Sequence, residues 1–357
     1  MEKVYIVAAQ RTPIGKFNGQ LASKSAVELG AIAIKAAVEK AKLSGNDIDQ
    51  VLMGNVIQAG TGQNPARQAS MAAGLGEQVP AITINDVCAS GMSSVNLAAS
   101  LIRAGQANVI VAGGMESMSQ APYVLPKARN GYRLGNGTLL DAMQSDALND
   151  VYGGYPMGIT AENINDKYQI TRRQQDEFAL LSHQRAVKAQ KAGYFDSEIV
   201  PVEVKQKRTT VTVKVDEAPR PDTSLVALAK LKPAFKSDGS VTAGNASGIN
   251  DGGAALVLAS ESAVNQLGLT PLAEWQGSAV VGLDPALMGL GPYYAINKLL
   301  KNQQMAADDV DTYEINEAFA TQALVCQELL HLDPNAVNPW GGAIALGHPV
   351  GCSGARI

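Results

Sequence analysis

Apolar positions follow two alternating rhythms along the first part of the chain. Val4 to Ala8, Val51 to Val56, Pro80 to Val87 and Val109 to Gly114 are short apolar stretches of strand length, and they predict buried strands. Between them lie segments with helical spacing. Ser25 to Ala41 places Val27, Leu29, Ile32, Ile34 and Val38 behind a serine suited to cap a helix. Gln63 to Ala73 and Ala89 to Arg103 read as two more helices, the second closed by Gly105. Strands alternating with helices imply crossover connections, hence a largely parallel sheet covered on both faces.

From about Ser117 the pattern loosens. The stretch to Asn250 holds most of the tyrosines, many charges and turns such as Tyr152-Gly153-Gly154-Tyr155-Pro156. It contains one clear amphipathic helix, Arg172 to Ala192, ended by Gly193, and one alternating run, Thr209 to Val215. This is the texture of a less regular domain inserted over the sheet. After a further buried strand at Ala254 to Ala259, the strand–helix alternation resumes and repeats features of the opening. Asp47-Ile48-Asp49 and Ala33-Ile34 recur, at one shared offset, as Asp309-Val310-Asp311 and Ala295-Ile296, and Ser90-Gly91 recurs one place later as Ser353-Gly354. The matches point to two related α/β halves.

Composition narrows the classes. Of 357 residues, 46% are hydrophobic and 17% charged, enough to bury a large core and too apolar for a disordered chain. A net charge of −4 argues against a nucleic-acid partner. No apolar run approaches the ~20 residues of a membrane span, and the N-terminus does not read as a signal peptide. Three scattered cysteines make no disulfide scaffold, so a reducing cytoplasmic setting is expected.

A few residues could carry chemistry. Cys88 falls between a predicted strand and the small-residue start of a helix, where the helix dipole and free N–H groups favour thiolate; it could equally be a small buried hydrophobe. His348, in the glycine-rich run Gly341 to Gly354, is either an aimed acid or base or a histidine that hydrogen-bonds a carbonyl. His183 and His331 sit at polar helical positions that look like surface. Asn316, opening Asn-Glu-Ala-Phe-Ala after the predicted strand Thr312 to Ile315, is either a helix cap or an amide that serves a water or an oxyanion. Ser240 to Gly253 is either a plain loop or backbone lining for a long ligand. Arg172, Arg173, Lys205, Lys207, Arg208, Arg220 and Lys236 form a basic scatter, either solvated or available to phosphates. No metal-ligand spacing, P-loop or dinucleotide fingerprint occurs.

Taken together, four segments resemble the thiolase family: Asn85-Asp86-Val87-Cys88-Ala89-Ser90-Gly91-Met92, Gly113-Gly114-Met115-Glu116-Ser117-Met118-Ser119, Asn316-Glu317-Ala318-Phe319, and Gly341 to Pro349. Arg11-Thr12-Pro13-Ile14-Gly15 and Gly244-Asn245-Ala246-Ser247 add to the likeness, which runs the length of the chain. The resemblance implies an α/β thiolase fold, two duplicated halves in a five-layer αβαβα sandwich. Residues 1–117 with 250–268 would form the first half, 118–249 an inserted coenzyme A-binding loop domain, and 269–357 the second half, incomplete. It implies acyl transfer between acetyl-CoA, acetoacetyl-CoA and CoA as substrates, with no metal and no further cofactor. Carried over by position, Cys88 is the nucleophile, His348 the base that activates it, and Asn316 the partner of His348 in an oxyanion or water site. Arg220 would face the phosphates, while Leu231, Phe235, Ala243, Ser247, Met157 and Phe319 would line the pantetheine channel.

Thiolases also carry a cysteine in a C-terminal Cys-x-Gly turn that handles the α-proton. The sequence to Ile357 lacks that turn, and the expectation is that it is a truncated form. Pro156 stands where acetoacetyl-forming relatives often have His, whereas Met288-Gly289 and Gly54 to Gly60 look like the short-chain branch found in bacteria. The resemblance further implies a homo-oligomer, a dimer or tetramer.

Overall fold

The apolar run that opens the chain becomes β1 (Val4–Arg11), followed by the short β2 (Gly15–Lys16). In this computed structural model, residues 2–206 and 208–357 are described. Helix α1 (Ala26–Lys40) starts on a complete capping box, in which Ser25 and Glu28 satisfy each other's backbone N–H groups. Then come β3 (Gln50–Gly54), α2 (Pro65–Ala72), β4 (Ala81–Ile84), α3 (Ser90–Arg103) and β5 (Val109–Ser117). These elements match the predicted rhythm to within a few residues. Every residue of β5 is buried, as its unbroken apolar and small composition requires of a central strand.

The inserted region contributes the two-residue strands β6 (Tyr123–Val124) and β7 (Leu140–Asp141), helices α4 (Met157–Tyr168) and α5 (Arg172–Lys191), the hairpin β8 (Val202–Gln206) and β9 (Thr209–Val213), and α6 (Leu225–Ala229). Lys207 of the basic scatter lies outside the described residues. The chain then returns through β10 (Asn250–Ser260), α7 (Glu261–Leu267) and β11 (Ala273–Glu274), and ends with α8 (Gly291–Gln303), α9 (Ala320–Leu329), α10 (Ala343–Leu346) and α11 (Val350–Arg356).

The main sheet runs β11-β1-β10-β5-β3-β4, with β2 added to β10. It is mixed, which corrects the expectation of a largely parallel sheet. Only β5–β3 and β3–β4 are parallel; β10 lies antiparallel to both β1 and β5. The cause is the insertion. β10 follows the long excursion after β5 and not a single helical crossover, so nothing forces it parallel. One face of the sheet buries α1 and α2, around Ile34, Val38, Val51, Met53 and Val257. The other buries α3, around Leu52, Val95, Ile102, Ile110 and Leu258.

The duplication has a local structural signature. Asp47 accepts a hydrogen bond from the Ser44 backbone N–H and Asp309 one from that of Ala306, each at 2.8 Å, closing the same one-turn 3-10 helix. Lys42 and Gln304, the residues that end the preceding helices, both adopt left-handed φ, at 59° and 57°. The two small-residue helices α3 and α11 pack on each other reciprocally. A Cβ on Gly91 would stand 2.6 Å from the Ala355 nitrogen, and one on Gly354 would stand 2.6 Å from that of Met92. In place of the predicted strand at Thr312 to Ile315, the described residues show a single parallel bridge, Tyr313 to Val337, with the same sense as β3–β4. In the first half β3 is held by β5, which follows α3; the second half as described reaches α11, the counterpart of α3.

Candidate active site

Cys88 sits in the turn between β4 and α3, half-buried. The turn is held from within. Ala89 N–H donates to the Asp86 carbonyl (3.0 Å) and Ser90 N–H to that of Val87 (3.1 Å). The Ser90 hydroxyl donates to the Val87 carbonyl (2.6 Å) and accepts from the Asp86 N–H (2.8 Å). Val87 is forced to φ 46°, a region that costs a β-branched residue on the order of 1–3 kcal/mol. Such strain persists only where the surroundings over-determine it, and here it presents the next residue, Cys88. The sulfur packs against an apolar cluster of Val56, Ile57, Met118, Ala142, Met143, Ala147 and Val350.

The expectation of an easily ionised thiol is not met. Burial pushes Cys88 up to about 11, and the carboxylates of Glu116 and Asp86 add to the rise. The cap position of α3 is Ala89, so Cys88 stands outside the first turn, where the dipole is weaker.

His348 is buried, with its backbone N–H donated to Asn250 Oδ1 at 2.9 Å. Its tautomer follows from its neighbours. The Ser353 hydroxyl lies 2.5 Å from His348 Nδ1 and 3.0 Å from the Pro349 carbonyl. With its hydrogen on the carbonyl it accepts from Nδ1, the tautomer that leaves Nε2 a lone pair for the Asn316 amide. Asn316 Nδ2 lies 3.4 Å from Nε2, as a donor to that lone pair. Burial pushes the imidazole down to about 4, leaving it neutral at pH 7. Asn316 is not a helix cap, because α9 begins at Ala320 behind Phe319. Its Oδ1 is buried without a partner.

The glycine-rich loop before β10 is stitched to the Asn-Glu-Ala-Phe segment. Ser247 N–H donates to the Ala318 carbonyl (2.9 Å), Ala320 N–H to that of Asn245 (2.9 Å), and Ala246 bridges Phe319. Met157, Phe235 and Phe319 meet in one cluster with Ala246 and Met288, the two phenylalanine rings edge to face at 6.1 Å. Leu231 and Leu228 close over Gly244, where a Cβ would stand 2.5 Å from Leu231 Cδ1; Ala243 beside it is exposed.

Arg220 is exposed and lines a cavity of about 560 Å³ with Lys188 and Lys191, two cations that the sequence reading passed over. Their positions on one turn of α5 were the available signal. His183 lines the same cavity and is not a surface residue. It is buried, accepts the Arg220 backbone N–H at Nδ1 (3.2 Å), and is pushed down to about 4 by burial and then by the Arg220 charge. Arg172 also leaves the basic scatter, paired with Asp176 at 2.8 Å and donating to the carbonyls of Leu228 and Leu231.

Residues 4–262 match the family model for the thiolase N-terminal domain, and residues 269–357 match that for the C-terminal domain. The chain belongs to the thiolase family. Among relatives of this thiolase, the acetyl-CoA acetyltransferase of Escherichia coli (strain K12) is 54% identical, across all of this chain and 91% of that protein. An acetyl-CoA acetyltransferase of Cupriavidus necator is 52% identical over the same shares. The Bacillus anthracis acetyl-CoA acetyltransferase structure superposes with a TM-score of 0.98 at 46% identity, covering all of the thiolase and 90% of that chain. Human mitochondrial 3-ketoacyl-CoA thiolase superposes at 0.96 with 45% identity, covering 99% and 90%.

Proposed function

We propose that this thiolase is an acetyl-CoA C-acetyltransferase, joining two acetyl-CoA into acetoacetyl-CoA and CoA, and running in reverse as thiolysis. The names of the bacterial relatives support that substrate pair. The observation that carries the chemistry is the His348 imidazole, locked neutral with its Nε2 lone pair beside the Asn316 amide.

Cys88 is the nucleophile. With the thiol pushed up to about 11 and the imidazole down to about 4, both are neutral at rest. Sulfur attack on the acetyl carbonyl is then coupled to transfer of the thiol proton to Nε2. The tetrahedral intermediate collapses, the carbon–sulfur bond to CoA breaks, and the departing thiolate takes the proton back from Nε2. A second acyl group meets Asn316 Nδ2–H as a donor to its developing enolate oxygen, a contact worth about 10²–10³ in rate. The α-proton needs a separate base. Resemblance gives that role to the cysteine of the Cys-x-Gly turn; Cys326 and Cys352 are buried within α9 and α11. The Met157, Phe235 and Phe319 cluster is the pantetheine wall, and Arg220 receives phosphate.

A longer acyl chain is the second reading, favoured by the likeness to a 3-ketoacyl-CoA thiolase. No helix among the described residues is long and apolar enough to cross a membrane. Cytoplasmic residence and a homo-oligomer complete the reading. The latter is supported by apolar Ile82, Val87 and Met92 exposed along and beyond the edge strand β4. The test is thiolysis of 3-ketoacyl-CoAs of increasing length with CoA. Acetoacetyl-CoA should be the preferred substrate and Cys88→Ala should abolish turnover. Undiminished turnover in Cys88→Ala, or preference for long chains, contradicts the proposal.

A further inference from the structure

Glu116 is a fully buried acid on the central strand β5 that the acyl transfer described above does not use. Four N–H groups converge on it. Oε1 accepts from Asn55 Nδ2 (2.8 Å) and the Ile57 backbone (3.2 Å), and Oε2 from the backbones of Val56 (2.9 Å) and Gly351 (3.0 Å). These four donors match the roughly four lone-pair sites of a carboxylate. An amide or a protonated acid would turn a hydrogen toward one of them.

The four donors form two arms, and each arm ends at a reactive group. The first is the Asn55–Ile57 turn. The Val56 carbonyl accepts from Asn85 Nδ2 at 3.4 Å, and Asn85 Oδ1 in turn accepts the backbone N–H of Val87, the strained residue just before Cys88. The second arm is Gly351 in α11, three residues after His348. A Cβ there would stand 2.7 Å from Glu116 Oε2, so the helix approaches the carboxylate only because the residue is glycine. Val56, Ile57 and Val350, which flank the two arms, belong to the apolar cluster on which Cys88 packs.

We propose that Glu116 is a positioning residue for acyl transfer, a bracket whose carboxylate ties the turn behind Cys88 to the helix that directly follows His348. This rests on the roles given to Cys88 and His348 under the proposed function. The bracket also joins the two halves of the fold, since β5 belongs to the first and α11 to the second. Its charge has a second effect. Glu116 and Asp86 add to the rise that burial gives the Cys88 thiol, while burial, with Asp251 adding to it, pushes Glu116 itself up to about 7 against its four N–H donors. The bracket thus adds, where its carboxylate is charged, to the burial that holds the sulfur as a thiol.

Two substitutions separate reach from charge. Glu116→Asp keeps the charge but is one methylene too short to span both arms. Glu116→Gln keeps the reach but loses the charge and points an NH₂ at an N–H donor. The expected result in Glu116→Asp is a fall in kcat for thiolysis on the order of 10²-fold, with KM for CoA within about twofold of the parent. The pH midpoint of Cys88 alkylation by iodoacetamide, read on the Cys88 peptide by mass spectrometry, should stay in place in Glu116→Asp. In Glu116→Gln it should move to lower pH. Should either variant fail to fold, Asn85→Ala cuts the first arm at an exposed residue and should lower kcat with KM unchanged. The proposal is overturned if folded variants keep kcat within about twofold of the parent, or if KM rises in step with the loss of kcat. Thiolysis surviving in Cys88→Ala would instead remove the reading beneath it, a separate outcome that the alkylation data do not share.

Discussion

At position 88 two effects oppose each other. The nearby helix start stabilises a thiolate, and the surrounding hydrocarbon and carboxylates destabilise it. Burial wins, pushing the thiol up to about 11. The location of the sulfur between strand and helix was legible from residue order. Its proton affinity was not, because that depends on Val56, Met118, Val350 and Glu116, all remote in sequence. His183 teaches the same lesson. It looked like a surface residue on a polar helix, yet the Arg220 segment folds over it. Buried neutral, it takes a proton only near pH 4, whereas in the unfolded chain it does so near 6.5. As pH falls between those values only the unfolded state gains that proton, so this residue's contribution to stability declines on acidification. His183→Gln should therefore lose less melting temperature between pH 7 and pH 5 than the parent. Equal losses in thermal unfolding at the two pH values would contradict this.

Among elements, the decisive contact is α3 against α11. Gly91 and Gly354 let the two backbones approach within a distance that no side chain would allow. Gly91→Ala or Gly354→Ala should each destabilise by about 1–3 kcal/mol, the cost of overpacking a fitted interface. Because one separation of the helices relieves both clashes, the double variant should cost less than the sum. Denaturant unfolding of the four proteins measures this, and strict additivity would contradict the shared interface. The small-residue repeat was readable in Ser90-Gly91 and Ser353-Gly354, though not that the two copies face each other. Helix α4 went unread because its sequence, Met157 to Tyr168, is polar and its cap is Pro156, which offers no side-chain acceptor. The antiparallel entry of β10 was equally hidden, since strand direction is set by a long insertion and not by local pattern.

Across the molecule, the inserted region must be held against the first half for a long substrate to meet Cys88. Arg11 does this from the end of β1. It binds Asp216 through two nitrogens, at 2.7 and 2.9 Å, and Glu198 at 2.6 Å, while the Ile14 backbone N–H donates to Asp216. The guanidinium and the Asp216 carboxylate are both buried. Asp216→Asn leaves a buried charge short of its partner and should cost about 3–5 kcal/mol. It should also raise KM for CoA while leaving Cys88 alkylation at the parental rate, and an unchanged KM in the folded variant would contradict that anchoring role. Incubation of the protein with acetyl-CoA, followed by mass spectrometry of its peptides, tests the central claim most directly. An acetyl group on the peptide bearing Cys88, lost in His348→Ala, is the predicted result; acetylation confined to Cys326 or Cys352, or none at all, would contradict it.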